Sequence, residues 1–382
     1  MTRFVNISTE NEDYSITDNQ EEIESLAEDI TAYQTSRKIE NVLTNKVNNG
    51  EDLTDQEIYI ATETIGALYS NLGDFKGFGF ENYEGKSLSQ AEKSKIAIEA
   101  ISNQNKEKGA TITAKLERFG NSLSDYFSWF TGSMSKLRKE AQEVLRLAER
   151  SPDESFTQSE IEDKRVSKAI QRGSSKPPFK NYNDIIKAVG SLIDSVKITA
   201  SISKYESLFS GKDSKWDLTK LAEDMGGRII KRSVGKVTYD LNPERLAGAL
   251  LTATVPDNSD NNYLMRNLKA NFVISLDYDI WRVGTRSENV KTTGLNKRDT
   301  IALLKQVIRY IDEEEEYFKQ YYKVAKFGIT DIIKNIFKAI IPFGSYNSII
   351  YRMRIQNLNS HIHYINHEVL RGLIAWAADS ID

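Results

Sequence analysis

Eleven positions, Ile112, Leu116, Phe119, Leu123, Tyr126, Phe130, Met134, Leu137, Ala141, Val144 and Ala148, recur at spacings of 4, 3, 4, 3, 4, 4, 3, 4, 3 and 4. That repeat has the helix period and puts every member on one stripe. The segment therefore has to fold as a long helix burying its stripe against other helices. The extra four-residue step near Thr131-Gly132 is a stutter, and Gly120 and Gly132 are places where the helix can bend. Ser151-Pro152 ends it. The stripe is read as packing inside the chain's own bundle, with an oligomer-forming surface as the alternative.

The rest of the chain supports a helical reading. Only six prolines occur in 382 residues, which favours long uninterrupted helices. A helical stripe covers Glu21–Val47 and stops at Asn48-Asn49-Gly50. Thr54-Asp55-Gln56-Glu57 and Ser89-Gln90-Ala91-Glu92 are capping boxes. They open helices predicted to run to Leu72 and to about Lys106, the second ended by Gly109. Further helices are expected over 159–171, 183–209, 216–225 and 301–325, the last closed by Gly328. A short helix after Thr330 is stopped by Pro342, and a C-terminal helix over 348–378 carries Ile362, Ile365, Val369, Leu373 and Trp376 inward.

The middle differs. Arg228–Val234 and Val237–Leu241 flank Gly235-Lys236 as a hairpin, and 271–278 alternates as a third strand. The fold class expected is mostly α, with long helices in bundle-like packing and a small inserted antiparallel β element, an α+β arrangement. Four consecutive regions follow: 1–50, an acidic leader and helix; 51–172, with the long heptad-like helix; 180–294, helices plus the small sheet; and 295–382, helical again. The linker lies in Gly173–Phe179.

Few chemistries are encoded. Cysteine is absent, which removes disulfides, thiolate metal sites and thiol nucleophiles. The N-terminus lacks a basic region followed by an apolar one, so no secretory signal is expected. No run of 18 apolar residues reads as a membrane span. Gly85-Lys86-Ser87 ends like a phosphate-binding loop, but Phe80 stands where its first glycine belongs. His363 and His367, four apart on a helix, could reach one metal; the competing reading places them beside a buried apolar stripe. Glu313, Glu314, Glu315 and Glu316 spread around the helix axis and are read as a solvated face. Lys334 and Lys338 flank Ile332, Ile333, Phe337 and Ile340, a side suited to a membrane surface or a partner, although a core helix is the commoner use. No serine–histidine–acid set is readable, and no cofactor is expected.

Charge is unevenly spread. Residues 1–60 hold 14 acidic and four basic side chains, a net of −10, which leaves +6 for the remainder of a chain whose total is −4. An acidic leader ahead of a mildly basic body is either a solvated arm or a removable, masking segment. The body shows no dense Lys/Arg stripe, so any affinity for DNA should be weak.

Within residues 53–150, LTDQEIYIATETIGALYSNLG is followed by a glycine-containing loop, KSKIAIEAI, and LSDYFSWF leading into SKLRKEAQEVLRLAE. Together these segments resemble the internal head proteins of large tailed bacteriophages. The resemblance implies a non-enzymatic virion structural protein inside the capsid, with other virion proteins, genomic DNA and copies of itself as partners. The alternative function is a cytosolic helical interaction protein acting in the infected cell. The resemblance also implies trimming by a prohead protease, for which Leu26-Ala27-Glu28 is the candidate maturation site because cutting there would spare the core. Loss of residues 1–28 would remove eight acidic side chains and one arginine, moving the net charge from −4 to +3.

Overall fold

The computed structural model describes residues 20–69, 88–156, 159–172, 177–179, 181–200, 218–243, 246–257, 271–276, 291–336 and 343–381. In chain order the elements are α1 (Gln20–Asn48), α2 (Asp55–Tyr69), α3 (Gln90–Arg150), β1 (Glu160–Ile161), α4 (Lys164–Ile170), α5 (Tyr182–Ala200) and α6 (Leu218–Asp224). Then come β2 (Arg228–Ser233), β3 (Lys236–Asp240), β4 (Ala249–Pro256), β5 (Asn271–Leu276), β6 (Thr292–Thr293), α7 (Lys297–Ile336) and α8 (Phe343–Asp379). Long helices packed together with a small antiparallel sheet make the protein mostly α.

Local chemistry sets the helix starts. Thr54 Oγ1 accepts from the Glu57 amide at 3.2 Å while Glu57 Oε2 accepts from the Thr54 amide at 2.8 Å. Ser89 and Glu92 repeat the exchange. Helix α6 ends in a Schellman motif: Gly226, at φ +74°, and Gly227 donate their amides to the Glu223 and Ala222 carbonyls.

Glycine inside a helix does less than the sequence suggested. Helix α3 runs unbroken for 61 residues, about 90 Å, through Gly109, Gly120 and Gly132. Gly109 ends nothing; a Cβ there would stand 3.4 Å from the Tyr33 hydroxyl, an ordinary van der Waals contact. Gly328 and Thr330 likewise lie inside the 40-residue α7, which replaces the two helices expected. One glycine costs about 1 kcal/mol in a helix, too little to stop one held by packing.

The chain forms two compact units that are not consecutive segments. One comprises Glu21–Asn121 and Gly328–Ile350; the other includes Ser122–Phe327 and Tyr351–Asp382. In the first, Leu43, Leu53, Ile58, Ile65, Tyr69 and Ile101 are core residues. Burial raises the Tyr69 phenol to about 12, and its hydroxyl donates to Asn105 Oδ1 at 2.7 Å. The buried face of α1 includes Ile23, Leu26, Ala27 and Ile30. Its Asp29 pairs with Lys115 of α3.

In the second unit the stripe from Tyr126 to Ala148 packs with α4, α5, α7 and α8 in one core. Phe179, expected in a linker, is buried there too and donates its amide to the Ile170 carbonyl. The sheet has the order β2-β3-β4-β5, antiparallel throughout, and β1 pairs with β6. The hairpin and third strand are where the residues predicted them. Strand β4 was missed: it is central and largely buried, so ALLTATVP lacks the alternation that reveals a half-exposed strand.

Candidate functional site

The richest polar constellation lies inside the second unit, where α3, α7 and α8 meet. Glu314 of α7 is fully buried. Its Oε1 lies 2.7 Å from His363 Nδ1 and accepts from Asn366 Nδ2 at 2.9 Å, both on α8. The His363 imidazole is wedged between Phe130, at 4.7 Å between ring centroids, and Phe318, at 4.5 Å. One turn along α8, His367 Nε2 lies 2.6 Å from Ser133 Oγ of α3. The other nitrogen of His367, Nδ1, stands 3.4 Å from Glu368 Oε1.

The four-glutamate run is not a solvated face. Glu314 is enclosed, and Glu315 is buried against Arg138, whose Nη2 reaches it at 2.8 Å and Asp312 at 2.7 Å. Glu313 pairs with Arg309 at 3.2 Å and Lys197 at 3.6 Å, and only Glu316 is exposed. The physical reason was already in the spacing. Side chains 100° apart cover most of a helix circumference, so on a helix packed into a core some must point inward.

A second polar group adjoins the first. Glu368 Oε2 accepts from Lys168 of α4. Burial alone would raise the Glu368 carboxyl, but His367 and the Lys168 ammonium prevail and hold it at about 2. Burial pushes Glu140 of α3 upward, against the opposing fields of Arg371 and Arg165. At the end of α8, partial desolvation and the neighbouring Asp163 carboxylate raise Asp379, which stays exposed.

Ser133, His367 and Glu368 stand in the contact order of an acyl-transfer triad, which sequence reasoning did not see because the serine is 234 residues from the histidine. The surroundings differ from such a site. Ser133 and His367 are buried, Glu368 is engaged by Lys168, and Ser133 sits mid-helix, where backbone amides are committed to carbonyls four residues back and have no donor for an oxyanion. What these groups do is tie three helices by directional bonds. Glu314 Oε2, His363 Nε2 and Asn366 Oδ1 are buried without a hydrogen-bond partner among the described residues. Each such atom, left without a partner, costs roughly 1–3 kcal/mol.

His363 and His367 do not converge on one metal. They lead to different partners, and no group of three or more His, Asp or Glu among the described residues could hold a metal ion. Ile332 and Ile333 lie in the last turns of α7, whereas Phe337 and Ile340 fall outside the described residues, as does the 85–87 loop. No helix among the described residues is long and apolar enough to cross a membrane. Leu26, Ala27 and Glu28 sit in the first third of α1, with Leu26 only 2% exposed. Cutting after Glu28 would not spare the core, because Ile23, Leu26 and Ala27 are part of the buried set.

Comparison with known proteins finds no matching family model, no similar curated protein and no similar solved structure.

Proposed function

We propose that this chain is a non-enzymatic structural protein of a bacteriophage virion, packaged inside the capsid with the genome. One observation supports it over the cytosolic interaction protein. Of the apolar stripes that such a protein would offer to a partner, that of α3 is occupied within the chain and that of α7 is occupied in part, with Ile301 and Ile308 half-buried. From Ile112 to Ala148 every member of the α3 stripe is buried, and so are Leu304, Ile311 and Phe318 of α7. The α3 part of the segment carrying the resemblance thus packs within the chain. The buried Glu314–His363–Asn366 set suits the same role, because it orients helices instead of facing a substrate.

Peptide mass spectrometry of purified particles tests this, with the mature N-terminus read directly. The chain is expected inside particles. A start at Asp29 would add a trimmed leader, which requires cutting before α1 packs, since a protease needs extended chain. An intact N-terminus would keep the structural role and end the maturation idea. Abundance in infected cells with absence from particles would sink the proposal in favour of the interaction protein.

A further inference from the structure

Strand β2 is the edge of the four-stranded sheet, and all six of its residues are exposed. It carries Arg228, Lys231 and Arg232, and Lys236 follows across the two-residue turn Val234-Gly235, where Gly235 has φ +72°. Four cations therefore fall within nine residues, with no acid before Asp240, which is buried. Among the described residues no ion pair joins a carboxylate to any of the four, and Arg228 stands directly opposite Asp240 across the ladder. This is the dense basic stretch that the sequence reading overlooked, because two isoleucines and a valine interrupt it.

Register places the charges. Lys231 stands opposite Thr238 and Arg232 opposite Val237, so the two cations fall on opposite faces. The face shared with Val237 and Tyr239 also carries Ile229. Cationic and apolar side chains are thus mixed on that face, and the turn residue Val234 is fully exposed.

A line of like charges along an edge about 20 Å long disfavours a second copy of the same edge, since antiparallel pairing would set cation against cation. It also suits a bilayer poorly, because binding there needs the apolar groups segregated from the charges. A polyanion with closely spaced charges meets both faces at once. Duplex DNA has that density, one charge per about 1.7 Å of axis, and releases more counterion per contact than a single strand.

We propose that the β2–β3 hairpin is a docking edge for double-stranded DNA that grips phosphates without reading sequence. The proposal rests on the packaged-protein reading only for its context, and it names the contact surface that reading lacks. Its test is separate: failure here leaves the particle result untouched, and absence from particles leaves DNA affinity measurable.

The experiment is a salt titration of the full-length chain on a labelled duplex of random sequence. If all four cations meet phosphates, the slope of log affinity against log salt is about −3.6. Lys231→Gln with Arg232→Gln should reduce it to about −1.8, with an unchanged circular-dichroism melt because β2 is exposed. Lys95→Gln with Lys139→Gln, exposed cations on α3, should leave the slope as it was. An unchanged slope in the hairpin variant overturns the proposal. So does absence of duplex binding by the unaltered chain, or tighter binding to vesicles of anionic lipid than to DNA.

Discussion

Glu368 shows how a single carboxylate links this core to pH. Its group ionises at about 2 in the folded protein against an ordinary 4.5, because His367 and Lys168 outweigh the burial that opposes them. A depressed carboxyl stabilises the fold above the unfolded value and loses that contribution as pH falls. The window is therefore about 4.5 down to about 2, and the contribution above it is on the order of 3 kcal/mol. Glu140 and Asp379 act with the opposite sign, since partial desolvation raises both and protonation relieves them. Glu368→Gln should lower unfolding free energy by about 3 kcal/mol near neutral pH, with the gap to the parent closing as pH approaches 2. Urea titrations of both proteins across that range check it; a pH-independent gap would mean that Glu368 acts through packing alone.

At the level of elements, two helix-interior glycines separate propensity from packing. Gly132 of α3 has nothing within 4 Å of where a Cβ would lie. Gly132→Ala should therefore stabilise by about 0.5–1 kcal/mol through the unfolded chain alone. Gly372 of α8 is the opposite case. A Cβ there would stand 2.4 Å from the Ala169 Cβ and 2.5 Å from the Arg165 carbonyl oxygen of α4. Backbone cannot give way as a side-chain tip can, so Gly372→Ala should destabilise by about 1–3 kcal/mol despite its better helix propensity. Thermal melts of the two variants decide it, and shifts of the same sign would show that α4 does not lie as close to α8 as these distances require.

For the whole molecule, the question is what the first residues of α1 contribute. A chain beginning at Asp29 loses Ile23 and Leu26 from a buried face, about 1.5–3 kcal/mol each. Amide exchange in α2 and in the 90–121 part of α3 should quicken in that truncated chain. Unchanged protection would mean that residues 20–28 add nothing to the stability of these helices. The charge effect of removal, from −4 to +3, holds in either case.

The sequence by itself determined the helical class, both capping boxes, the hairpin and the α3 stripe, because each is a local or periodic signal. Thr54 with Glu57 is three residues apart, and the stripe follows from the helix period. Only tertiary structure decided what crosses long separations. Ser133 meets His367 at 234 residues, and Glu314 meets His363 at 49. Nothing in EEEE says which carboxylate faces inward until α3 and α8 lie beside it. The same holds for Gly109 and Gly328, where packing overrode a local stop signal worth about 1 kcal/mol. Strand β4 stayed hidden because burial had erased its alternation. Short-range chemistry is written in neighbouring residues; burial and partnership depend on which surfaces the folded chain brings together.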